Sequence, residues 1–129
     1  MLPLGHMSTK TTTANDDADD LVFKALADRT RRHLMDLLRA RAHTTNELCE
    51  HFDTSRFAVM KHLKVLVAAN LVLIERRGRE RFNLLNPVPL QRLQRRWLRR
   101  FDQQAADRML DLKDHLEQPR RTTAKPNRA

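Results

Sequence analysis

Five side chains between Arg56 and Lys64 have the types and spacing to read a nucleic acid: Arg56, Phe57, Met60, Lys61 and Lys64. On a wheel of about 100° per residue, Phe57, Lys61 and Lys64 lie opposite the apolar stripe Val59, Leu63 and Leu66. A helix with one buried stripe and cations on its outer face suits insertion into a DNA major groove. The chemistry there is hydrogen bonding to base edges. Arg56 and Lys61 can donate to guanine N7 and O6, while Phe57 and Met60 can offer apolar contact to a thymine methyl. Lys64, further along, is placed for phosphate, and Ser55 supplies the N-cap that starts the run. A second basic group, Arg76, Arg77, Arg79 and Arg81, surrounds Gly78. Of these, Arg77, Arg79 and Arg81 are assigned to DNA, with Arg79 at phosphate or the minor groove.

Other chemistry is poorly provided for. Cys49 and His51 offer one thiolate and one imidazole, whereas a tetrahedral metal site needs three or four ligands. Cys49 also falls within the apolar pattern of Leu48 and Phe52, as a small packing residue would. Asp111 and His115 share a helix face, a pairing common on solvated helices. No metal ligands are therefore assigned, and no cofactor is expected. His62, at the edge of the stripe, reads as structural. A Gly-rich phosphate loop, a nucleophile-and-base order and paired carboxylates in a cleft are all missing, and two glycines leave little scope for catalytic loops. An enzyme is not expected.

The elements that must position these residues are legible in order. Asp16, Asp17, Asp19 and Asp20 precede the apolar residues Leu21, Val22, Ala25 and Leu26 and read as the start of a first helix. Asp28 and Thr30 cap a second helix, from Arg31 to about Arg41. Arg29, Arg31 and Arg32 at its N-terminus suit either phosphate or solvent. Thr44 and Glu47 form a capping box for a third helix, and Asp53-Thr54-Ser55 makes the turn into the fourth. The β-prone runs 71–77 and 81–85 form a two-stranded wing about the Gly78 turn. After Pro87 and Pro89, the residues Leu90, Leu93, Trp97, Phe101, Ala105, Met109, Leu112 and Leu116 advance by three or four, predicting one long helix. Such a seam is best covered by a second subunit, with Leu21, Leu93, Trp97, Phe101, Met109, Leu112 and Leu116 at the interface. The fold class expected is mainly α with a small two-stranded β wing, dimeric through its terminal helices.

The segments Lys24 to Arg32, Ser55 to Leu63 and Gly78 to Arg81 resemble the ArsR/SmtB winged helix-turn-helix repressors, in the expected order, over about residues 19–116. The resemblance implies a homodimer that binds a palindromic operator near its own gene through paired recognition helices and wings. Founding members place two cysteines, one residue apart, on the third helix. Here Cys49 keeps the first position and His51 stands at the second. Phe57 and Met60 replace the Pro and Ser of many members, so the chain resembles a subgroup without evident metal ligands. A metal-sensing repressor using Cys49 and His51, and a non-specific architectural DNA-binding protein, are the alternatives.

Charge agrees with a polyanionic partner. The 129 residues hold 25 Lys and Arg against 16 Asp and Glu, a net charge of +9. One cysteine fits a reducing cytoplasm, and no apolar run approaches the ~18 residues of a membrane span. The organisation expected is a disordered tail over residues 1–17, a winged helix-turn-helix domain over 18–118 and a disordered basic tail over 119–129. Residues 1–6, ahead of a second start at Met7, are set aside as an added leader.

Overall fold

The computed structural model describes the backbone of residues 2–117 and the side chains of residues 13–117. The elements run α1 (Leu2–Leu26), α2 (Arg29–Ala40), β1 (His43–Thr44), α3 (Thr45–Cys49), α4 (Arg56–Ala68), β2 (Val72–Arg77), β3 (Glu80–Leu85), α5 (Val88–Arg96) and α6 (Gln103–Glu117), with a 3-10 turn at Leu98–Arg100. The basic tail expected over residues 119–129 lies outside the described residues. The chain divides into two units, Met1–Leu93 and Gln94–Ala129.

Local chemistry explains the first unit's helix boundaries. Asp28 Oδ2 accepts from Arg31 N at 3.1 Å and starts α2. Thr44 Oγ1 accepts from Glu47 N at 3.1 Å while Glu47 Oε1 accepts from Thr44 N at 2.8 Å, the expected capping box. Ser55 Oγ accepts from Ala58 N at 3.1 Å and starts α4. The end of α4 is equally specified. Asn70 takes φ +61°, its N–H reaches Val67 O at 2.9 Å and the Leu71 N–H reaches Leu66 O at 3.0 Å. These two bonds form a Schellman stop, with Asn in the left-handed position usually given to Gly. Leu66 and Leu71, the apolar pair that accompanies such a stop, are both fully buried.

One core joins these elements. Val22 and Ala25 of α1, Leu34, Met35 and Leu38 of α2, Leu48 of α3 and the α4 stripe pack with Leu71, Val72 and Leu93. Each fully buried Leu or Val contributes about 1.5–3 kcal/mol of transfer free energy. The sheet is antiparallel in the order β1-β3-β2, so the expected two-stranded wing gains a third short strand. His43 and Thr44 pair with Asn83 and Phe82. Asn83, 1% exposed, fastens that strand: its Nδ2 donates to His43 O and Thr45 Oγ1, both at 3.2 Å. In the hairpin Arg77 pairs with Glu80, leaving Gly78 and Arg79 as the turn, and Gly78 carries the positive φ (+64°) that the turn needs.

Three expectations are corrected. Helix α1 begins at Leu2 and is already running at Asp16, so the acidic cluster lies within it rather than at its start. No proline interrupts the backbone between residues 4 and 26. The long terminal helix is broken: α5 ends at Arg96 and α6 restarts at Gln103. Arg92, Arg95, Arg96, Arg99 and Arg100 repel one another at helical spacing with no acid between them, and Asp102 Oδ1 caps the restart by accepting from Ala105 N at 2.9 Å. Leu93, expected at a subunit seam, is only 2% exposed and belongs to the core of its own chain.

In the second unit no described residue is buried. Trp97 and Phe101 meet edge to face at 4.9 Å between centroids. Along α6, Met109, Leu110, Leu112 and Leu116 are all exposed.

Candidate nucleic-acid interface

The recognition surface begins with how α4 is held. Val59, Leu63 and Leu66 turn inward, so Arg56, Phe57, Met60, Lys61 and Lys64 are left on the outer face, all exposed. Phe57 is 71% exposed, so it stands out from the helix rather than packing beneath it. Lys61 Nζ instead sits 5.4 Å from the Phe57 ring centroid, a cation–π contact that steadies both side chains. Arg56 Nη1 donates to Asn46 Oδ1 on α3, so the side chain best suited to a guanine is aimed by the preceding helix. Ser55 is spent on capping α4, with its backbone at the exposed turn.

The wing arginines are divided between the two faces of the sheet and the turn. Residues alternate across a strand, and the pairs Ile74–Asn83 and Arg76–Arg81 put these four on the face that also carries buried Val72. Arg77 lies on the opposite face. There Glu75 Oε1 accepts from Arg77 Nη2 at 2.8 Å and Nε at 3.1 Å, and the guanidinium stacks 4.4 Å from the Phe82 centroid. Arg76, named in the basic group but not assigned to DNA, stands directly opposite Arg81. Like charges so placed repel. Arg76, Arg79 and Arg81 have no acidic partner among the described residues. The signal that could have found Arg76 is the two-residue period of the strand.

Two of the arginines at the start of α2 cap the preceding helix. Arg31 Nε and Nη2 donate to Ala25 O and Lys24 O at 2.9 and 2.8 Å, and Arg32 Nη1 donates to Leu26 O at 2.6 Å. They satisfy the carbonyls left open at the C-terminus of α1. Arg31 Nη1 also lies 3.2 Å from His62 Nδ1, which is 3.7 Å from Asp28 Oδ2. His62 therefore ties the recognition helix to the α1–α2 corner, and its structural reading acquires specific partners. Desolvation pushes the Asp28 carboxyl up, but the Arg31 N–H and the neighbouring His62 and Arg31 outweigh it and hold the group below its ordinary 3.8. Glu47 is likewise held below its ordinary 4.5, chiefly by the Thr44 N–H, against some desolvation and with help from Arg41.

Cys49 is half-buried against the core with Phe52. The His51 ring meets His43 at 6.1 Å between centroids. Among the described residues, no three His, Cys, Asp or Glu side chains converge.

Comparison with known proteins places this geometry. A helix-turn-helix domain family matches residues 26–75, the stretch from the end of α1 to the middle of β2. The transcriptional repressor SdpR of Bacillus subtilis is 37% identical over 70 residues, covering 54% of this chain and 78% of that protein. An ArsR-like transcriptional regulator from Rhodococcus sp. RHA1 superposes with a TM-score of 0.63 at 28% identity, covering 78% of this chain and 94% of the other. The chain belongs to the ArsR family of winged helix-turn-helix transcriptional regulators. Within an ArsR fold, α3 and α4 are the helix-turn-helix and the β2–β3 hairpin is the wing. The homodimeric winged helix-turn-helix domain of Mb0332 from Mycobacterium bovis shares the fold, with a TM-score of 0.58 at 22% identity over 82% of this chain and 88% of that one. The family is one of DNA-binding regulators rather than of enzymes. No described helix is long and apolar enough to cross a membrane.

Proposed function

We propose that this ArsR-family regulator is a homodimeric repressor that reads a palindromic operator near its own gene, in the cytoplasm. The observation that carries the reading is α4, whose apolar stripe is buried while Arg56, Phe57, Met60, Lys61 and Lys64 stand outward. Arg56, aimed by Asn46, and Lys61 donate to base edges, Phe57 and Met60 meet thymine methyls, and Lys64 meets phosphate. Arg79 and Arg81 hold the flanking backbone, with Arg76 joining them in place of Arg77. Dimerisation is supported by the exposed Trp97, Phe101, Met109, Leu112 and Leu116, by exposed Leu21 on α1, and by the homodimeric assembly of Mb0332.

The test is footprinting and fluorescence anisotropy on the DNA upstream of the gene, against random DNA of equal length. Two protected half-sites about one helical turn, ~34 Å, apart are expected. Arg56→Ala should relax the preference at one position of each half-site, at a cost of about 1–3 kcal/mol against the cognate base. Equal affinity for random and upstream DNA would replace the specific repressor with an architectural binder. Zinc-dependent release abolished by Cys49→Ser would restore the metal-sensing alternative.

A further inference from the structure

Base reading leaves part of the α4 surface unexplained. Val67 is 39% exposed, yet it lies about 16 Å along the helix axis from Arg56, past the portion that reaches base edges. With Phe57, Met60, Leu63 and Ile74 it supplies the apolar lining of an open cleft of about 490 Å³ between α4 and the sheet. Lys61, Lys64 and Arg81 also line the cleft, and no Asp or Glu does. Neither Lys64 nor Arg81 has an acidic partner among the described residues. The volume falls within the range of small-molecule sites, which join an apolar lining to a few placed polar groups.

We propose that this cleft binds a small anionic amphiphile, a carboxylate carrying an alkyl or aryl tail, and that its occupancy releases DNA. The tail covers Met60, Val67 and Ile74, and the carboxylate is held by the lining cations. Charge complementarity decides the class. A neutral apolar ligand would leave three cations beside an emptied, lower-dielectric cleft, and a cationic one would add to them. The basic residues of the tail 119–129 are excluded as an occupant on the same ground. Release follows from shared groups, because Lys61, Lys64 and Arg81 cannot serve carboxylate and DNA at once. The inference rests on the DNA-binding reading only for this last step.

Octanoate titrated into the DNA-free full chain by calorimetry separates the two. One saturable site per chain is expected, with octylammonium at the same concentrations giving none. Val67→Gln, a helix-compatible change on an exposed position, and Ile74→Thr, a strand-compatible one, should each weaken octanoate by about tenfold, the scale of a lost apolar contact. Both variants should bind operator DNA as the parent does, and octanoate should displace DNA from the parent but not from them. Failure of DNA binding without octanoate would count against the repressor reading alone. An absent octanoate heat, equal binding of octylammonium, or unchanged octanoate affinity in both variants would overturn the cleft, whether a second copy fills it or nothing does.

Discussion

Two helices of this chain carry apolar stripes of helical period and meet opposite fates. Val59, Leu63 and Leu66 of α4 are buried, whereas Met109, Leu112 and Leu116 of α6 are 65%, 50% and 64% exposed. Periodicity is therefore a statement about a face and not about what covers it. Helix α4 is closed by Ser55 and the Asn70 stop and lies in a core built from every neighbouring element of its unit. Helix α6 is 15 residues long with no buried side chain, a length at which an isolated helix is marginal in water. Its stability has to come from outside its own unit, and a second subunit is the partner proposed above.

The sharpest way to break this contrast is to truncate one stripe and charge the other. Leu66→Ala should lower unfolding free energy by about 2–5 kcal/mol, because a fully buried Leu leaves a cavity. The loss should be independent of protein concentration in urea titrations. Leu112→Asp should leave the melting of the Met1–Leu93 unit unchanged while sedimentation shows monomer and operator affinity falls with it. A Leu112→Asp protein that stays dimeric would remove α6 from the interface.

Asn83 tests whether the first unit's self-sufficiency extends to its polar contacts. Replacing it with Ala removes both side-chain bonds, to β1 and to α3, and leaves a void at a buried position. The expected cost is about 1–3 kcal/mol in urea denaturation, with no change in oligomeric state. A shift indistinguishable from zero would show that β1 is held by its strand pairing alone.

Acid sharpens the comparison at the helix caps. Asp28 and Glu47 have folded-state pKa values below their ordinary 3.8 and 4.5, so the unfolded chain binds protons more readily than the folded one. Their contribution is present in full above about pH 5, begins to fall as pH drops through those ordinary values, and is gone below the lowered folded values. Asp28→Asn and Glu47→Gln should each flatten the acid limb of the stability curve. An acid limb of unchanged steepness in both would remove the caps as its source.

How much of this was legible in the sequence follows from range. Thr44 with Glu47, Ser55, Asp28 and the α4 stripe are local codes, each written within a few residues, and all of them hold. Asn83 could not be read, because its partners are some 40 positions away. Strand β1 is two residues long and exists only through β3. The end of α5 depends on repulsion among arginines that a hydrophobic pattern ignores. Leu93 fits the terminal seam by spacing and is captured by the nearer core. Arg31 and Arg32 were ambiguous because the carbonyls they cap belong to the preceding helix.

The smallest expected effect is also the finest discriminator, because it compares two adjacent arginines. Arg76 shares a sheet face with Arg81 and has no acidic partner among the described residues, whereas Arg77 is paired to Glu75 and stacked on Phe82. Arg76→Ala removes a cross-strand repulsion, so stability should hold or rise slightly. DNA affinity should nevertheless fall for all sequences alike, with the slope of log affinity against log salt reduced by about one. Arg77→Ala should do the reverse. Losing an exposed ion pair and its aromatic contact costs at most about 1 kcal/mol of stability, and the salt slope should stay where it is. Anisotropy titrations at four or five salt concentrations separate the two outcomes. If Arg77→Ala lowers the slope and Arg76→Ala does not, the wing meets DNA with its other face, and the assignment of Arg81 to the phosphate backbone goes with it.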